Sequence, residues 1–152
     1  MSLANIIDAT KAILGAVSGV GPNVHAYERW ADDDTRFRAL FVDAATSPPR
    51  VLGWTITRES TRALDRGPRN SEDHHTIVIR AYMSLQDEAG SERTFQELLE
   101  SVRAAFLANR RLDGAALHSR PIEARVVEHK NFAGVLCHYA ELVLVAEEKV
   151  AT

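Results

Sequence analysis

The sequence predicts an α+β fold: a mixed or antiparallel sheet of about five strands with two amphipathic helices packed on one face. Three patterns carry this. Residues 51–58 (VLGWTITR) and 75–86 (HTIVIRAYMSLQ) alternate with a period of two, whereas residues 95–106 repeat apolar side chains at helical spacing. Strand-like segments mostly follow one another directly, which favours antiparallel neighbours over a parallel sheet with helical crossovers.

The elements follow in order. Leu3, Ile6, Ile7, Ile13, Leu14 and Val17 form one apolar stripe, and Ser18-Gly19 with Gly21-Pro22 ends that first helix. After the acidic run Asp32-Asp33-Asp34, residues 37–43 (FRALFVD) read as a strand, and Ser47-Pro48-Pro49 as a turn. In the next strand Leu52, Trp54 and Ile56 share a face. Residues 59–73 (ESTRALDRGPRNSED) hold Gly67-Pro68 and only Leu64 as a sizeable apolar residue, so they read as a long exposed polar loop. The clearest strand follows, with Ile77, Ile79, Ala81, Met83 and Leu85 facing the core. Ser91 or Thr94 is placed to cap the second helix, Thr94-x-x-Glu97 having capping-box form, and Asp113-Gly114 closes it. Residues 122–129 and 134–147 make a last strand pair, joined through Lys130-Asn131-Phe132. Residues 148–152 read as a loose tail.

The bulk composition narrows the function. The 152 residues suit one domain, and 45% hydrophobic with 26% charged side chains is an ordinary globular balance. At this size folding buries roughly 70% of the surface the unfolded chain exposes, so no disulfide or metal staple is required. Eighteen basic against 21 acidic side chains give a net charge of −3, without the basic excess that phosphate-gripping proteins show. Sequence-specific nucleic-acid binding is therefore not expected. The first residues lack a basic leader, and Asp8, Thr10 and Lys11 interrupt their apolar run. No stretch reaches the roughly 18 apolar residues of a membrane helix. The expectation is a soluble protein made in the cytoplasm, with no membrane partner.

No catalytic or cofactor motif stands out. Cys137 is alone and beside His138, which a strand directs to the opposite face; it reads as a small buried filler, not a nucleophile. His25, His74, His75, His118, His129 and His138 read as solvated or hydrogen-bonded. Adjacent His74 and His75 point apart in a strand, and His129 with His138 meet across a hairpin without a third ligand. The Asp32–Asp34 run lacks the alternation, glycine and terminal glutamate of a calcium loop. Gly15, Gly19 and Gly21 follow a helix and match neither phosphate-binding glycine motif. The expectation is no enzyme, no cofactor and no metal.

What remains is surplus polarity in residues 59–73 and surplus hydrophobicity in the closing strand. There Val135, Tyr139, Val143 and Val145 lie on one face and Leu136, Leu142 and Leu144 on the other. Two helices cover only one side of such a sheet, so part of the second apolar face requires a further partner. Arg62, Arg66, Arg69, Val143 and Val145 are the candidate subunit-interface residues.

The order of elements resembles that of the tail terminator proteins of long-tailed phages. The corresponding segments are residues 6–17, 37–58, 75–85, 95–106 and 126–145, and HTIVIRAYMSLQDEAGSERTFQELLESVRAAF carries the strongest similarity. The resemblance implies a structural virion protein, a hexameric ring that caps the tail tube and stops its elongation. Its partners would be copies of itself, the tail-tube protein and the head-side connector or head-completion protein. It implies no catalytic residues. The alternatives are another neck or baseplate adaptor or, in a different class, a small-molecule-binding α+β dimer.

Overall fold

In the computed structural model, which describes residues 2–45 and 49–150, the elements run α1 (Leu3–Gly15), β1 (Val24–His25), α2 (Asp34–Ala39), β2 (Val42–Asp43), β3 (Arg50–Asp65), β4 (Ser71–Ser84), α3 (Ser91–Leu107), β5 (His118–Ser119), β6 (Glu123–Phe132) and β7 (Val135–Val150). This is the expected α+β class, with seven strands in place of about five. The strand order is β1-β3-β4-β7-β5, with β2 also on β3 and β6 also on β7. β1 runs parallel to β3, and the other pairs among the described residues are antiparallel.

The core forms where the period-two strands meet the two long helices. Leu52, Trp54 and Ile56 of β3, Ile77, Ile79, Ala81 and Met83 of β4, and Ala140, Leu142, Leu144 and Ala146 of β7 bury one face of the sheet. Ile6, Ile13 and Leu14 of α1 and Phe95, Leu98, Leu99, Val102 and Phe106 of α3 pack onto it. Ser2 starts α1 by accepting the Asn5 amide at 3.1 Å. Buried Thr10 satisfies its hydroxyl by donating to Ile6 O at 2.7 Å, and the Trp54 indole donates to Val20 O at 2.9 Å.

Four expectations need correction. Residues 37–43 are a strand only at Val42–Asp43, the two residues of β2: Asp33 accepts the Arg36 amide at 2.8 Å and caps α2 ahead of them, so Phe37 and Phe41, four residues apart, stack edge to face with ring centroids at 5.8 Å. With Val51, Phe132 and Cys137 they make a second, smaller core on the opposite face of the sheet. Both faces therefore carry helix, α1 and α3 on one and α2 on part of the other. Residues 59–73 are not a loop. β3 runs on to Asp65, Arg66 N donates to Asn70 O at 2.7 Å, and β4 begins at Ser71. Residues 148–150 are not loose, because Glu148, Lys149 and Val150 pair with Asp73, Glu72 and Ser71; residues 151–152 lie outside the described residues. Neither Ser91 nor Thr94 caps α3. Gly90, at φ 66°, occupies the cap position, and Ser91 turns inward to accept the Gln86 amide at 2.8 Å. Ser47-Pro48, expected in a turn, lies outside the described residues.

Gly53 is fixed by the close approach of α2. A Cβ there would stand 2.9 Å from Phe41 Cβ and nearer still to its ring, so only a hydrogen allows Phe41 to lie on β3. Gly53→Ala should lower the urea midpoint by lifting Phe41 off the sheet, at a cost of about 1–3 kcal/mol. Phe106, 1% exposed at the end of the α3 stripe, should cost about 3–5 kcal/mol on truncation to Ala. Equilibrium urea unfolding measures both.

Candidate assembly surface

The register of the three long strands places side chains in rows across the second face. Thr57, Val78 and Val143 form one row, Ser60, Thr76 and Val145 the next, and Arg62, His74 and Glu147 a third. The structure thus brings three of the five predicted interface residues, Arg62, Val143 and Val145, onto one surface. Val143 and Val145 are half-buried and Arg62 is exposed. Arg66 and Arg69 sit apart, in the turn at the far end of the β3–β4 ribbon. Arg66 Nε lies 3.4 Å from Glu72 Oε2, and Arg69 takes a left-handed φ of 58°.

The ribbon presents a second feature. β1 and β2 cover the outer edge of β3 only along residues 50–55. Among the described residues no strand pairs that edge along residues 57–65, and most of the side chains there are exposed. The register shifts between Arg58 and Ser60, a bulge, and Arg58, Glu59 and Arg62 place charge along the edge. Bulges and charges are the usual means by which an open edge is kept from indiscriminate pairing.

A polar network crosses the same face nearer α2. Arg125 stands at the β6 bulge between Ala124 and Val126 and reaches Glu59 at 3.0 Å and Glu141 at 2.7 Å. Tyr139 donates to the second Glu141 oxygen at 2.7 Å. The Arg125 hydrogen bond, then that of Tyr139, holds the Glu141 carboxyl below its ordinary range, and Arg125 does the same for Glu59. Burial, reinforced by the bond to Glu141, pushes the Tyr139 phenol up. Beside this network a 410 Å³ cavity opens between Arg29, Arg80, Phe41, Tyr82 and Phe132.

The remaining chemistry-bearing residues sort by position. Cys137 is fully buried in the smaller core, and burial pushes its thiol up to about 11, out of the nucleophilic range. His129 and His138 do meet across the β6–β7 hairpin, with ring centroids 5.2 Å apart. His138 Nε2 is 2.8 Å from Ser91 Oγ, its ring stacks on Phe95, and desolvation lowers its pKa. His74 and His75 point to opposite faces as expected, and each finds acidic neighbours there that sequence reasoning missed. Glu72 and Glu147 surround His74, while Asp73 and Glu148 surround His75. The alternation of β4 foretells Asp73 beside His75. Glu147 and Glu148 lie some 70 positions away, and only the β4–β7 register brings them in.

The chain matches no family model and no curated protein.

The Arg125 bridge has a defined pH signature. Because the folded-state pKa values of Glu59 and Glu141 are depressed, their contribution is complete above the unfolded value of about 4.5 and is lost as pH falls through the folded values. Arg125→Ala should therefore destabilise the chain at pH 7, and the difference from wild type should shrink progressively below about pH 4.5. Thermal unfolding of the two proteins from pH 7 to pH 3 checks it.

Proposed function

We propose that the chain is a structural protein that works by packing against copies of itself in a closed ring. The observation that carries this reading is the conjunction of a β3 edge that no strand pairs along residues 57–65 among the described residues with the incompletely covered Val143 and Val145 on the adjoining face. A neighbouring subunit that lays a strand or loop along that edge satisfies its free amides and carbonyls and reaches the valine rows at the same time. The bulge and the alternating charges at Arg58, Glu59 and Arg62 then act as a filter, admitting a partner with complementary charge and twist. Closure into a ring is the natural outcome, because a head-to-tail contact that fails to close makes an open filament.

The resemblance in element order to phage tail terminators supplies the setting: a ring of six on the last ring of tail-tube subunits, stopping elongation and offering its other side to the head-side connector. Another neck or baseplate adaptor uses the same surfaces in the same way. The cavity bounded by Arg29, Arg80 and three aromatic rings favours a second reading, a small-molecule-binding dimer. A ring that assembles without any added small molecule separates the two.

Val143→Glu should reduce assembly far more than it reduces folding, since the side chain is half-buried in the isolated subunit and faces away from the main core. The measurement is sedimentation velocity of wild type and variant at rising concentration, with subunit counting on purified tails. Wild-type chain that stays monomeric at high concentration and is absent from tail ends would overturn the proposal.

A further inference from the structure

Past Ile77 of β4 and Ala146 of β7 the main-core face of the sheet stops being apolar. Along β4 the series Met83, Ala81, Ile79, Ile77 continues into His75 and Asp73, and along β7 the series Ala140, Leu142, Leu144, Ala146 continues into Glu148. His75 is 3% exposed and Glu148 8%. His75 Nε2 lies 3.0 Å from Glu148 Oε1. Ligand atoms of Asp73, His75 and Glu148 all fall within 4.8 Å of one another.

Two observations make this more than a buried ion pair. The second carboxylate oxygen of Glu148 is buried and has no hydrogen-bond partner among the described residues. A charged oxygen removed from water without a donor is a costly arrangement for a carboxylate on a strand that has polar alternatives nearby. The other face of the same strands provides the contrast. There the Glu72–His74–Glu147 group is already balanced by cations, with Arg66 Nε at 3.4 Å from Glu72 and Arg120 Nη2 at 3.5 Å from His74 Nδ1. Neither Asp73, His75 nor Glu148 contacts an arginine or lysine in any ion pair among the described residues.

We propose that Asp73, His75 and Glu148 form a binding site for a divalent transition-metal ion of the zinc type. One imidazole with two carboxylates suits such an ion, whereas an all-oxygen set would suit magnesium or calcium. Zinc bonds of about 2.0–2.2 Å place tetrahedral ligand atoms about 3.4 Å apart, so small side-chain rotations bring the three into range and leave a fourth position for water. The outer partner is in place. Thr61 Oγ1 lies 2.7 Å from His75 Nδ1 and accepts from Arg58 Nη1 at 3.0 Å. On binding, the His75 proton resides on Nδ1 and is donated to Thr61 Oγ1, freeing the Nε2 lone pair for the metal. This is the usual way a second ring nitrogen fixes the tautomer of a metal-ligating histidine. The ion joins β4 to β7 directly and β3 through Thr61, clamping the three-stranded ribbon beyond the helices.

The test uses the untagged full chain, stripped with a chelator and titrated calorimetrically with zinc chloride and separately with magnesium chloride. The native chain should take up one zinc ion and no magnesium at the same concentrations, and cobalt substituted for zinc should show the visible absorption of a tetrahedral site. His75→Gln and Glu148→Gln should each weaken zinc binding about 100-fold or more, and His74→Gln should leave it unchanged. If His75→Gln does not fold, Glu148→Gln decides, since it keeps the shape of the side chain. Absence of zinc uptake by the native chain, uptake of magnesium equal to that of zinc, or unaltered zinc affinity in folded His75→Gln or Glu148→Gln would each overturn the proposal.

Discussion

Everything in this molecule hangs on β4, which is hydrogen-bonded along nearly its whole length to β3 on one side and to β7 on the other. With both edges used, its fourteen residues need no further partner for their backbone groups, and each neighbour inherits a fixed register from it. That register puts Ile56, Ile79 and Leu142 in one row of the main core and Thr57, Val78 and Val143 in the row facing the other way. A slip of one residue would exchange the two sets. The two long helices then have one large apolar surface to cover, and α1 and α3 cover it.

The second face is built on a different balance. α2 lies over one end of it, where Gly53 lets Phe41 approach the backbone and Phe132, Phe37 and Tyr82 close around Phe41. Further along, aromatic packing gives way to the Arg125–Glu59–Glu141 bridge, then to half-buried valines, and last to the exposed charges of the ribbon. The gradient runs from a finished core to a β3 edge that no strand pairs along residues 57–65 among the described residues. A chain that folds alone gains little from extending three strands so far past its helices. Under the proposed assembly, the ribbon is the part of the subunit that reaches a neighbouring copy.

The two histidines at the base of the ribbon illustrate how one strand serves two environments. Period-two alternation sends His74 and His75 in opposite directions, and the antiparallel neighbour β7 supplies a glutamate to each. One group is neutralised by arginines from the turn and from the segment after β5; the other is left with carboxylates and an orphaned oxygen. The difference in their surroundings, not in their ligands, separates a structural ion cluster from a candidate metal site.

The α+β class, the α1 and α3 stripes and the inward rows of β3, β4 and β7 were legible in the amino-acid sequence, because burial against a single face imposes a period that survives without any knowledge of the partner. Cys137 as a buried residue and the opposed directions of His74 and His75 were legible for the same reason. The extent of the β3–β4 ribbon was not. Residues 58–65 are solvated on both faces, so their side chains carry no alternation, and only hydrogen bonding to β4, itself held by β7, makes them a strand. The helical half of the 37–43 segment was not legible, because the six residues of α2 are too few for a helical period to emerge and its cap, Asp33, sits in an acidic run that looks like loop. The Arg125–Glu59 and His75–Glu148 pairs join residues 66 and 73 positions apart. Local pattern determined which residues turn inward. Strand register, a property of the whole sheet, decided which of them meet.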